Sequence, residues 1–96
     1  MGKFIISHEA DIDLEDISFY TYMNWGGRQA NIYLTQLKEF FQKLADNPTI
    51  GRDASEFVEG LKRFGYKSHM IFYVTTDTGI LIVRVLGQQM DYEQHL

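Results

Sequence analysis

The chain changes its hydrophobic period once, at Asn47-Pro48, and that change limits what it can fold into. Before it, Ala30, Leu34, Leu37, Phe41 and Leu44 step by four, three, four and three residues, which predicts an amphipathic helix over Arg28–Ala45. Proline cannot continue a helix, so Asn47-Pro48 ends it. After an irregular stretch, 47–60, the chain reads as short strand-like runs: Leu61–Tyr66, His69–Val74 and Ile80–Leu86. Their connections are too short for parallel crossovers, and Thr75–Gly79 reads as a hairpin loop. An antiparallel three-stranded meander follows.

The front half supplies the rest. Lys3–Ser7 is a short apolar run expected to form a strand. Ser7 can then cap a helix whose positive end suits Glu9, Asp11 and Asp13. Ala10, Leu14, Ile17 and Thr21 share one face, while Ile12, Phe19 and Met23 form a second apolar stripe. Gly26-Gly27 ends this helix, because glycine tolerates the left-handed cap. Two helices with so tight a joint make an antiparallel hairpin. The expected fold is α+β: an N-terminal strand, a helical hairpin and a three-stranded antiparallel meander, with the helices on one sheet face. A last helical turn is expected in Met90–Leu96. With 96 residues the chain is read as one domain, 1–96.

Charge and composition narrow the function. Net charge is −4, and there is no cysteine for disulfides or thiolate metal ligands. The first 60 residues carry ten acids and five bases, and the remainder is mildly basic through Lys62, Arg63, Lys67 and Arg84. Those bases do not amount to the dense patch that binds nucleic acid by charge alone. No run reaches the roughly 20 apolar residues of a membrane span. The N-terminal run is too short for a signal peptide, so a soluble cytoplasmic protein without a membrane role is expected.

Site motifs are mostly rejected. A calcium loop starting at Asp11 would need glycine and glutamate where Asp16 and Tyr22 stand. His8, His69 and His95 lack metal-ligand spacing, so neither metal nor cofactor is expected. Asp91 and His95 could pair across one helical turn. Arg84 interrupts the strand Ile80–Leu86 and must reach solvent or a partner; a local carboxylate or carbonyl and an external anion are equally open to it. On an unbroken strand Ile80, Ile82, Arg84 and Leu86 share a face. A small sheet covers one side of the hairpin, which leaves Ile12, Phe19, Met23, Tyr33 and Phe40 as an outer apolar stripe.

Taken in order, Ala10-Asp11-Ile12-Asp13-Leu14-Glu15-Asp16-Ile17, Trp25-Gly26-Gly27-Arg28-Gln29-Ala30 with Tyr33-Leu34, Leu44-Ala45-Asp46-Asn47-Pro48-Thr49-Ile50-Gly51-Arg52, Gly60-Leu61-Lys62-Arg63-Phe64, His69-Met70-Ile71-Phe72-Tyr73, Arg84-Val85-Leu86, Met90-Asp91 and His95-Leu96 resemble the ParE branch of the RelE/ParE toxin family. The resemblance implies the fold just described. It implies a type II toxin encoded beside a ParD-like antitoxin, often a ribbon-helix-helix DNA binder, that wraps and neutralises it. The toxin would meet DNA only through that antitoxin, in a hetero-oligomer. ParE-like members inhibit DNA gyrase by binding it; RelE-like cousins cut messenger RNA on the ribosome. Under the first reading Ile12, Phe19, Met23, Tyr33, Leu37 and Phe40 are the candidate antitoxin contacts. Lys62, Arg63, Arg84, Met90, Asp91 and His95 are the candidate toxic surface, and no residue is catalytic. An endoribonuclease would recruit Arg63, Arg84, His69 and Tyr73, but such relatives are usually strongly basic. A detoxified remnant that still binds antitoxin is the third reading. Two departures stand out: Lys62 where the family often has arginine, and Gly87 where histidine commonly follows Arg-Val-Leu.

Overall fold

The computed structural model describes residues 2–96. Strand β1 (Lys3–Ile6) leads into helix α1 (His8–Trp25), helix α2 (Gly27–Asp46), the short strand β2 (Arg52–Asp53), and strands β3 (Lys62–Tyr66), β4 (His69–Thr75) and β5 (Gly79–Gly87). Single 3₁₀ turns sit at Pro48–Ile50 and Tyr92–Gln94, the second being the helical turn expected in the tail.

Local chemistry sets the boundaries. The Ser7 hydroxyl accepts the Ala10 N–H, so Ser7 is the N-cap of α1. Gly26 sits at φ 93°, where a side chain would be strained, and its N–H bonds the Tyr22 carbonyl. The joint is tighter than expected: Gly27 is already the first residue of α2.

The strands form a five-stranded sheet in the order β1-β5-β4-β3-β2. The meander β3-β4-β5 is antiparallel as expected. β1 adds to it by pairing parallel with β5, Phe4 opposite Ile80, and the helical hairpin carries the chain from β1 at one edge of the sheet to β2 at the other. The irregular stretch also yields β2, which pairs Arg52 with Arg63 and Asp53 with Lys62.

The hairpin packs on one sheet face. Ala10, Leu14 and Ile17 of α1 and Leu37, Phe41 and Leu44 of α2 bury against Ile71, Tyr73, Ile80, Ile82 and Val85. Each such large apolar side chain contributes roughly 1.5–3 kcal/mol. The other sheet face is also covered. Phe72, Leu61, Leu86 and Ala54 form a second cluster, closed by Phe57 from the 54–60 loop and by Tyr92 and Leu96 from the tail. That loop therefore roofs the far side of the sheet and leaves the outer side of the hairpin bare.

One irregularity corrects the expected face pattern. A bulge between Phe72 and Tyr73 of β4 and Arg84 and Ile82 of β5 leaves Val83 without a partner. Past it the alternation inverts: Val85 joins Ile80 and Ile82 beneath the helices, and Leu86 turns to the second cluster. Arg84 thus does not share a face with Ile80 and Ile82.

Candidate functional site

Beyond Ile82, β1 no longer covers the edge of β5, and the start of α1 takes over its backbone groups. Ser7 donates its N–H to the Ile82 carbonyl and its hydroxyl to the Val83 carbonyl. The Asp13 carboxylate accepts the Val85 N–H at 3.0 Å. It also accepts Arg84 Nε and Nη2, each at 2.8 Å, in a two-pronged pair. Arg84 Nη1 donates at 2.7 Å to the His95 carbonyl and so ties down the tail. The side chains of Arg84 and Asp13 are 19% and 10% exposed, which makes this a largely desolvated pair. The Asp13 hydrogen bonds raise the Arg84 pKa above its ordinary value.

Of the two alternatives open to Arg84, a local carboxylate is the one realised. Asp13, one of the acids that suit the positive end of α1, is buried. The residues lie 71 apart, and only the fold brings them together. His95 enters through its carbonyl. Asp91 caps the tail's 3₁₀ turn by accepting the Glu93 N–H, and among the described residues no ion pair joins it to His95.

Most of the exposed large apolar residues among those described lie on α1. Ile12, Phe19 and Met23 stand opposite the core-facing side, with Phe19 67% and Met23 65% exposed. Tyr20 and Tyr22 on either flank, and Trp25 beside Tyr20 at the helix end, are more than half exposed. Thr21, in their midst, is buried and donates its hydroxyl to the Ile17 carbonyl. Five large apolar residues within Phe19–Trp25 thus meet solvent, a patch of the kind that marks partner contact.

The candidates on α2 divide. Leu37 is fully buried in the main cluster and offers no surface, so its place is in the core. Its spacing puts it with Phe41 and Leu44 rather than with the outer stripe. Phe40 stacks on Tyr66 at 4.7 Å and meets Phe64, closing the end of the sheet. Tyr33 packs against Tyr66 and His69, and its hydroxyl lies 2.7 Å from His69 Nδ1. Tyr33 and Phe40 are therefore half-buried against β3 and β4 and not joined to the exposed stripe of α1.

Between α1 and the strand ends runs a groove whose larger part encloses about 680 Å³ and is lined by Asp16, Tyr20, Lys67, His69, Gln88 and Met90. It continues past Thr21 and Trp25 to Tyr33. Burial lowers the His69 pKa and raises that of Tyr33. Tyr73, fully buried, accepts the Gly51 N–H and donates to the Pro48 carbonyl, each at 2.9 Å, and burial raises its pKa.

The basic candidates lie elsewhere. Arg63 pairs with Glu56 at 3.4 Å and lies over the Phe57 ring. Lys62 follows β-alternation onto the opposite face. Met90 is exposed, and its sulfur accepts the Gly87 N–H. Gly87 touches only Met90 in the direction a side chain would take. No group of three His, Cys, Asp or Glu residues among those described could hold a metal ion, and no helix among them is long and apolar enough to cross a membrane.

Comparison with known proteins places this geometry. Residues 4–92 match the family model described as "ParE toxin of type II toxin-antitoxin system, parDE". Toxin ParE1 of Mycobacterium tuberculosis is 38% identical over 96 residues, covering 99% of this chain and 98% of that protein. Toxin ParE1 of Caulobacter vibrioides is 32% identical over 96 residues, covering 100% and 99%. Toxin ParE of Escherichia coli is 29% identical over 92 residues, covering 95% and 89%. A solved structure titled "Chromosomal ParDE TA system from P. aeruginosa" superposes with a TM-score of 0.76 at 19% identity, covering 91% of this chain and 96% of that one; it bears out the fold.

Proposed function

The chain belongs to the ParE toxin family of type II toxin-antitoxin systems, and from that premise we propose that it acts in the cytoplasm by binding DNA gyrase and is neutralised by a ParD-like antitoxin. The observation that carries this reading is the bare outer face of α1. Ile12, Phe19 and Met23, flanked by Tyr20 and Tyr22, offer a helical strip that the fold itself does not cover. An amphipathic helix from the antitoxin lays its apolar side on such a strip and excludes water from both. Tyr33 and Phe40 of α2 pack on the β3–β4 end of the sheet, and their antitoxin contact is proposed as a second, smaller patch. DNA is reached through the antitoxin, in a hetero-oligomer.

A binding mechanism is favoured over RNA cleavage by where the polar groups are committed. Cleavage needs a base, an acid and cations converging on one phosphate. Arg84 is held by Asp13, Tyr73 by Gly51 and Pro48, and His69 by Tyr33. His69 and Tyr73 alternate onto the helix side of β4, whereas Arg63 stands opposite Phe72 on the other face. The four do not meet.

The proposed gyrase-contacting surface is the sheet end bearing Lys62 and Arg63 together with the tail residues Met90, Asp91 and His95. Arg84 serves it by fixing the tail through the His95 carbonyl. A supercoiling assay with purified gyrase tests the reading. Loss of supercoiling on adding the toxin, restored by the antitoxin, is expected. Unimpaired gyrase alongside cut messenger RNA in a translating extract contradicts it.

A further inference from the structure

The groove between α1 and the strand ends holds polar groups that the proposed contact surfaces do not use. Its two parts, of about 680 and 550 Å³, share four walls: Tyr20, Lys67, Ser68 and His69. Each part falls within the roughly 300–1,000 Å³ of small-molecule clefts.

Lys67 and Ser68 are the two-residue turn between β3 and β4, with Tyr66 paired to His69. Gln88 fastens that turn. Its Nε2 donates to the Lys67 and His69 carbonyls at 2.7 and 3.2 Å, and its N–H donates to the Ser68 carbonyl at 3.0 Å. The turn is thus held in place before any ligand arrives. Lys67 Nζ donates to Gln36 at 2.9 Å, but no carboxylate among the described residues pairs with it. An ammonium has three donors, so two remain for an anion. His69 meets the Tyr33 hydroxyl through Nδ1; its Nε2 has no hydrogen-bond partner among the described residues and is not sealed from solvent. At the other end Trp25, 65% exposed, meets Tyr20 edge-to-face, with ring centres 6.0 Å apart. That contact leaves ring surface open on both, of the kind on which a planar base stacks. Gln29 lines the same part, and its amide suits the edge of an adenine.

We propose that this groove binds a purine nucleoside monophosphate. The base stacks on Trp25 and Tyr20 with the Gln29 amide at its edge. The phosphate takes the free donors of Lys67 and the Ser68 hydroxyl, and His69 Nε2 adds a donor when Nδ1 accepts from Tyr33. Asp16, an exposed acid on the wall of the larger part, opposes further phosphates, so one is favoured over three. A mononucleotide is favoured over a nucleic-acid strand because the chain's net charge of −4 repels a polyanion. The site stands independently of the antitoxin and gyrase contacts.

Trp25 is the only tryptophan, so its fluorescence reports this groove alone. The test titrates the full-length ¹⁵N-labelled chain with AMP, adenosine and ribose 5-phosphate, following Trp25 emission and amide shifts. AMP should quench Trp25 saturably and move the Lys67–His69 amides. Adenosine and ribose 5-phosphate should each bind about tenfold or more weakly, one lacking the charged contact and the other the stacked ring. Lys67→Asn removes the cation, and asparagine accepts the φ of 54° that Lys67 adopts, so the turn is kept. It should weaken AMP about tenfold and leave adenosine unchanged. Trp25→Ala, read by the amides, should weaken AMP similarly and leave ribose 5-phosphate unchanged. Absence of saturable quenching, equal binding of AMP and adenosine, parental AMP binding by either variant, or tighter binding of ATP or of a twelve-residue oligoadenylate would each overturn the proposal.

Discussion

Replacing Asp13 with alanine removes a carboxylate that accepts three hydrogen bonds, two from Arg84 and one from the Val85 backbone. The loss strands a guanidinium that is only 19% exposed and leaves a buried N–H of β5 without a partner. Breaking a buried ion pair from one side costs about 3–5 kcal/mol. The lower end applies here, because Arg84 keeps the His95 carbonyl and some access to water. For a domain of this length, about 3 kcal/mol corresponds to a fall in Tm of roughly 12–24 °C. The effect should be asymmetric. Exchanging both partners for apolar residues, Asp13→Leu with Arg84→Met, leaves no orphaned charge and should cost far less than Asp13→Ala alone. Differential scanning calorimetry on the single and double variants measures both. A drop below about 4 °C for Asp13→Ala would place the pair among exposed salt bridges worth 1 kcal/mol or less and refute this reasoning.

Other consequences follow from the same contacts. Tyr73→Phe leaves the Gly51 N–H and the Pro48 carbonyl unpaired and should cost about 1–3 kcal/mol in urea unfolding, with the slope unchanged. Leu37→Ala, at a fully buried position, should cost about 2–5 kcal/mol, as expected of a core residue rather than a contact surface. His69 has a folded-state pKa below its ordinary 6.5, so the unfolded chain takes up its proton first as pH falls. Its share of stability is therefore complete above pH 6.5 and declines as pH drops through that value toward the folded pKa. Melting curves between pH 7.5 and 5.5 should flatten in His69→Gln, which removes the titrating ring; an unchanged slope would assign the acid sensitivity elsewhere.

The sequence carried most of what is local. Ser7 as a cap, the core faces of both helices, the stop at Asn47-Pro48 and the meander are written in spacing and turn chemistry, and the structure repeats them. What it did not carry depends on distant partners. Nothing around Val83 marks a bulge, because an extra residue in a run of branched side chains looks like more strand. The parallel pairing of β1 with β5 joins residues some 76 positions apart and leaves no periodic signature. Asp13 reads like its neighbours Asp11, Glu15 and Asp16, and only the packing angle of α1 turns it toward Arg84. β2 is two residues long, too short for alternation to appear. At the candidate site the exposed stripe of α1 was legible from helical spacing. Leu37 was legible too, since its spacing with Phe41 and Leu44 puts it on the core face and not among the surface candidates.

The account rests on α1 presenting an apolar strip that serves a partner rather than the fold, and one calorimetric comparison addresses it directly. The chain and its Ile12→Glu/Phe19→Glu/Met23→Glu variant are titrated with the antitoxin proposed to neutralise it, after melting curves for both. Those side chains are exposed, so the variant should melt close to the parent. Burying even two of them stabilises a complex by about 3–6 kcal/mol, so affinity should fall a hundredfold or more. A variant that folds normally and binds that protein as tightly as the parent would contradict the claim.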